Sequence, residues 1–346
     1  MNRLRRTALA VALLIALAAC GTQRPTGVDA RTAGAPSEVA VGSPGSTSTD
    51  PYLRTAEELH SRKVRVWFEI DLVAPWLDGP TTFRRAVQRV AELARSPGTV
   101  GFKVADELGY HDGLDSQVQV IAFLRATRAA LTRVAPQAQV LVDAVVPELG
   151  CLPGLDAAGA ACAREVRATS QGATVDAVSS YLAAGLVDRL DLSGGLLTAT
   201  AYRDRGLTLL GADRRVWRRV DALGWSEKTR LQGRKALAME GGWTGTDATA
   251  SSAGELYVDV PRQYGAHAVD IWTWRQAYDG GTYSLLAPDL RPNPLWDVLL
   301  ARKRAGADLF THVTPSTLSA EALGRAHEYD LIASAFDDVF VAAGPI

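Results

Sequence analysis

Five histidines in this chain stand with no HxH or HExxH spacing, so the sequence shows no transition-metal site, and neither a metal nor another cofactor is expected. A net charge of −1 supplies no basic face for a phosphate backbone, which excludes a nucleic-acid partner. The Gly-rich phosphate turn of a dinucleotide fold is missing from the first crossover, and no GxSxG elbow marks a serine hydrolase. Past residue 20 no apolar run reaches the roughly 18 residues that a membrane span needs. Cysteine is scarce too, with three in 346 residues. What remains is 47% hydrophobic and 22% charged, enough to bury a large core in one barrel-sized domain or two smaller ones.

The first twenty residues are of another kind. Arg3, Arg5 and Arg6 precede an apolar stretch, 7–16, that is too short to span as a mature helix, and Leu17-Ala18-Ala19-Cys20 follows at once. This order resembles the bacterial lipoprotein signal. The resemblance implies that 1–20 is a signal peptide ending in a lipidated Cys20, which holds the protein to the cell membrane on its extracytoplasmic side. Residues 21–50, rich in Gly, Pro, Ser, Thr and Ala, read as a disordered tether with a reach of roughly 30 Å. Export also bears on the two remaining cysteines. Cys151 and Cys162 lie eleven residues apart in a Gly/Ala/Pro-rich loop, and an oxidising compartment would join them as a disulfide.

From 51 to 346 the pattern repeats as apolar strand, polar exit and helix-period segment. Strands are expected at 64–71, 99–105, 139–146, 175–182, 207–210, 235–240, 268–275 and 339–342. Alternating strands and helices imply parallel pairing with right-handed crossovers. The polar residues sit at several strand ends and not at one switch point, so the expected fold is α/β, a (β/α)8 TIM-barrel-like ring that is irregular or incomplete, with an open doubly wound sheet as the alternative. A monomer is expected.

Side chains of one parity face such a ring's interior. This parity turns Trp67, Glu69 and Asp71 inward on the first strand, and Lys103, Ala105 and Glu107 on the second, with Asp106 on the other face. Asp143 and Glu240 also turn inward, and Asp270, Trp272 and Trp274 share a face. Tyr110 and His111 follow in the loop after Glu107, Tyr181 ends the 175–182 segment, and Trp243 closes the MEGGW run, so each is a candidate to line a cleft.

A ring of acids with tryptophans resembles the clan A glycoside hydrolases. The residues carrying the resemblance are Ala105-Asp106-Glu107-Leu108, Glu240 in MEGGW, and Trp272 or Trp274. It implies Glu107 as acid/base and Glu240 as nucleophile, acting on a carbohydrate substrate bound by Glu69, Asp106, Tyr110, His111, Asp143, Tyr181, Trp243, Trp272 and Trp274. Asp106 stands where the family has Asn and Leu108 where it has Pro. The expected function is a cell-surface glycoside hydrolase. The alternatives are a non-catalytic carbohydrate-binding lipoprotein or a transporter's solute-binding lipoprotein.

Overall fold

Strand-to-helix alternation does produce a parallel ring. The computed structural model describes residues 48–225, 230–278 and 280–342, with 230–236 described by backbone alone. Cys20 and nearly all of the 21–50 segment lie outside the described residues. The strands are β1 (Arg65–Glu69), β2 (Thr99–Lys103), β3 (Gln139–Val145), β4 (Arg189–Ser193), β5 (Arg230–Ala236), β6 (Met239–Glu240), β7 (Ala268–Tyr278), β8 (Gly281–Ser284), β9 (Leu309–Val313) and β10 (Asp338–Ala342). Parallel pairing runs β1–β2–β3–β4–β5–β7–β9–β10 and returns from β10 to β1. β6 and β8 stand outside this ring, as an antiparallel ribbon on the long C-terminal end of β7.

Several expected strands are corrected. Residues 175–182 form the helix Val175–Ala183, because Thr174 accepts from the Ala177 N–H as an N-cap and the buried Val175, Val178, Tyr181 and Leu182 repeat at helical spacing. Residues 207–210 likewise become a helix start, with Thr208 capping Leu209–Ala222. The 235–240 segment divides, since β5 ends at Ala236 and Met239–Glu240 belongs to the ribbon. β4 (RLDLS) and β9 (LFTHV) take the vacated places in the ring.

Cys151 and Cys162 are joined, with Cα atoms 5.6 Å apart, and tie helix Pro147–Cys151 to helix Ala157–Thr169. No described helix is long and apolar enough to cross a membrane.

The main core lies between ring and helices, where Phe68, Phe102, Val140, Leu190 and Ile271 are fully or nearly fully buried. A second, smaller cluster fills the inside of the ring: Trp67, Leu141, Ala268, Phe310 and Phe340. The Trp67 ring crosses this floor because residue 101 is glycine. A Cβ there would sit 2.5 Å from the indole and 2.3 Å from the Gln139 carbonyl oxygen. Trp67 Nε1 donates to Asp338 at 2.9 Å, Arg65 pairs with the same carboxylate, and the Arg189 guanidinium lies 5.1 Å from the Trp67 ring centre.

Candidate functional site

Two residues beyond the inward position at the floor level, a charged side chain points into the ring on six strands, whereas Phe340 of β10 is followed by Ala342. Glu69 follows Trp67, Lys103 follows Gly101, Asp143 follows Leu141, Asp191 follows Arg189, Asp270 follows Ala268, and His312 follows Phe310. A strand's period of two puts each pair on one face, so the apolar floor is overlaid by a polar layer nearer the C-terminal strand ends. Barrel-type folds keep their chemistry at that end. Lys103, Asp143, Asp191, Asp270 and His312 are each no more than 1% exposed.

The layer is a connected chain. Lys103 Nζ donates to Glu69 Oε1 at 2.8 Å and lies 3.1 Å from Asp106 Oδ1 and 3.9 Å from Asp143 Oδ2. Glu69 Oε2 is 2.8 Å from His312 Nδ1, and His312 Nε2 is 2.7 Å from Asp270 Oδ2. With a carboxylate against each ring nitrogen, His312 holds both protons. Burial disfavours that imidazolium, but Asp270 and then Glu69 outweigh it and raise its pKa. Burial also opposes charge on Glu69, yet Lys103 and His312 hold its carboxyl well below the usual range. Asp270 is held low in the same way, against its burial, chiefly by His312. Asp191 goes the other way. Burial and the adjacent Asp270 carboxylate push it well above the usual range, so it carries a proton.

Among the described residues of this layer Glu69 opens to the mouth, its side chain 22% exposed. Around it the rim is acidic, with Asp106 half exposed and Asp71, Asp106 and Glu69 each close enough to feel one another's charge. One repeat above Asp270 on β7 stands Trp272, whose ring centre is 5.4 Å from that of Tyr278 and 5.9 Å from that of Tyr283. Its Nε1 donates to Gln276 Oε1 at 2.8 Å.

The other candidates from the sequence are dispersed. Glu107 is half-buried in a left-handed conformation (φ 52°), because β2 ends at Lys103 and strand parity no longer applies to it. Glu240 is exposed on β6, opposite Tyr283 of β8. The Tyr110 and His111 rings lie against each other, tilted by 58° with centres 3.9 Å apart. Tyr181 is buried in a helix and donates its hydroxyl to the Gly172 carbonyl at 2.9 Å, so it lines no cleft. Trp243 is buried, its carbonyl accepting from Asn293. Trp274 does not share the inward face of Asp270 and Trp272. A register shift between Ile271 and Arg275 breaks the alternation, and Trp274 packs on Trp296 in the outer core. Asp191 and His312 were not anticipated. The signal that finds them is an inward parity two residues beyond a buried large side chain.

The 106–114 loop that borders the rim is pinned by Asp112, which accepts from the N–H groups of Gly109 (2.9 Å) and Leu114 (3.0 Å). Burial pushes its carboxyl up to about 6. A raised folded pKa means the native state keeps the proton longer than the unfolded chain, so this group's contribution falls as pH rises from about 4 to about 6 and is lost above that. Asp112→Asn should therefore flatten the pH dependence of stability across that window, by less than about 1.4 kcal/mol per pH unit because the side chain is not fully buried. Denaturant midpoints at successive pH values check this, and parallel curves for the two proteins would contradict it.

No protein-family profile and no curated protein matches the chain. Solved structures do. The carboxyl transferase domain of Rhizobium etli pyruvate carboxylase with 3-bromopyruvate aligns at 13% identity and a TM-score of 0.44, over 88% of this chain and 45% of that one. A substituted form of the same domain with pyruvate aligns at 13% identity and a TM-score of 0.40, over 93% and 48%. The chain thus spans less than half the length of these neighbours. These neighbours are carboxyl transferase domains and not glycoside hydrolases, and the expectation of a glycoside hydrolase is corrected. The geometry agrees with the correction, since Glu240 lies on the exposed ribbon and not in the buried layer.

Proposed function

We propose that the ring binds and acts on a small molecule that carries, or develops during reaction, a positive charge, and that Glu69 is the group that meets it. The carrying observation is the buried chain Asp191–Asp270–His312–Glu69–Lys103. Each interior ion costs several kcal/mol of desolvation, and the Trp/Leu/Ala/Phe floor directly beneath shows that this ring can be filled with apolar side chains instead. Stability alone therefore does not account for the charged layer. Glu69 is held ionised by two cationic partners, which makes it a poor proton acceptor and a good fixed negative charge. The acidic rim disfavours anions such as carboxylates or phosphates, and the Trp272, Tyr278 and Tyr283 rings offer faces to a cation, worth roughly 0.5–2 kcal/mol. In a thermal-shift comparison of choline, its neutral tert-butyl analogue and the matching carboxylate, together with other small amines and acids, amines should stabilise the protein most. Stabilisation by the carboxylates, or by none of the panel, contradicts the reading.

We further infer that the protein acts outside the cytoplasm, lipid-anchored at Cys20 to the membrane, as a monomer with no nucleic-acid partner. The signal-like start supports the anchor, and the Cys151–Cys162 bridge suits an oxidising compartment. Cys20→Ala should release the protein from the membrane fraction or leave it unprocessed, and continued tight attachment of the variant would count against this anchor.

A further inference from the structure

Asp191, Asp270 and His312 come from β4, β7 and β9, three strands of one ring, and each offers one ligand atom within 4.8 Å of the other two. All are buried. Neither oxygen of Asp191 receives a hydrogen bond from any described donor, and the same holds for Asp270 Oδ1. Asp191 shares its proton with Asp270, and the remaining acceptor positions of these two buried carboxyl groups are unmet, at a penalty of about 1–3 kcal/mol per group. A cation at their centre would satisfy them.

The third ligand is already oriented for that role. His312 Nδ1 faces Glu69 Oε2 at 2.8 Å, so a metal that displaces the Nε2 proton leaves the other proton held on Nδ1 by the carboxylate and the freed Nε2 lone pair as its ligand. Nε2 now meets Asp270 Oδ2 at 2.7 Å. Bonds of about 2.0–2.2 Å set ligand atoms about 3–4 Å apart, so on binding Asp270 would turn away from Nε2 and the three atoms, which lie within 4.8 Å of one another, would draw around the ion.

We propose that Asp191, Asp270 and His312 form a binding site for a first-row divalent transition cation, with Glu69 as its outer carboxylate. One imidazole and two carboxylates suit Zn²⁺, Mn²⁺ or Co²⁺ better than Ca²⁺ or Mg²⁺, which take oxygen ligands alone. Three protein ligands leave positions open on the side of the Trp272 mouth, as in metal sites that bind a water or a substrate. The site goes beyond the ligand reading above: its ligands are Asp191, Asp270 and His312, and Glu69 is common to both readings. With the cation in place the rim acids are unchanged, so the mouth still favours a cationic or neutral molecule.

The test uses the mature domain, stripped with EDTA and titrated with Co²⁺ and then Zn²⁺, with no organic ligand present. Wild type should develop Co²⁺ ligand-field absorption that saturates at one equivalent and is displaced by Zn²⁺. Asp191→Asn and His312→Gln should each weaken binding at least about 100-fold, and Glu69→Gln about 10–100-fold, as for other outer-shell partners. Far-UV circular dichroism establishes that each variant is folded, and Asp270→Asn replaces any that is not. Folded wild type that takes up no Co²⁺ or Zn²⁺ overturns the proposal, and so does one-equivalent uptake that Asp191→Asn leaves unchanged. The amine panel run on the stripped protein reads the mouth separately, so failure of either reading leaves the other measurable.

Discussion

Lys103→Met is expected to lower the unfolding free energy by about 3–5 kcal/mol, the usual loss when one partner of a buried ion pair is removed. Methionine matches the stem in length, so packing changes little, but Glu69 loses its 2.8 Å donor and Asp106 and Asp143 lose the ammonium that lies within 4 Å of both. Glu69 then has His312 alone to hold its charge, and its pKa should climb toward that of an ordinary buried acid. A second substitution, Glu69→Gln in the Lys103→Met background, should return part of the loss, because an uncharged pair no longer leaves an uncompensated ion. Guanidinium unfolding midpoints of the three proteins read this coupling. A loss below about 1 kcal/mol in Lys103→Met, with no recovery in the double variant, would show that the layer is solvated in a way its burial does not suggest.

Trp67→Ala should cost about 3–5 kcal/mol for a different reason. The indole is the largest side chain of the apolar floor and touches Phe310 and Phe340, with ring centres 6.4 and 6.2 Å away. Its removal leaves a cavity under the polar layer and takes away the aromatic face beneath the Arg189 guanidinium. It also leaves Asp338 with one donor fewer. Trp67→Phe keeps most of the volume and should lose only about 1–2 kcal/mol, mainly the Nε1 hydrogen bond. Equal losses for the two variants would mean that the hydrogen bond and not the packed volume is what matters at this position.

Much of the architecture was legible because periodicity reports burial. The strands at 64–71, 99–105, 139–146, 268–275 and 339–342 all exist within a few residues of their expected bounds. The failures share a cause. In β4 and β9 the inward positions hold Arg189, Asp191 and His312, so apolar alternation, the cue for a half-buried strand, is replaced by charge, and these strands read as loops. Conversely, 175–182 has an apolar content that suits a strand, and the deciding feature was a cap at Thr174. The site follows the same logic. Glu69 and Asp143 were found by parity, and Asp106 stands at the rim beside Lys103. Glu107 and Glu240 were placed by extending strand parity past the points where β2 and β5 stop, and across such an end the backbone turns and the face is no longer determined by counting. His312 carries no local spacing signal, because its partners, Glu69 and Asp270, lie 243 and 42 residues away in sequence.

The central claim, that Glu69 is a fixed anion presented to a positively charged ligand, is tested most directly by calorimetric titration of the tightest-binding amine from the panel into wild type and Glu69→Gln. Loss of one charge-assisted contact should weaken the amine about 10–100-fold in the variant, while binding of the matching carboxylate should not weaken. An unchanged amine affinity in folded Glu69→Gln would contradict the claim and leave the buried chain without a role at the mouth.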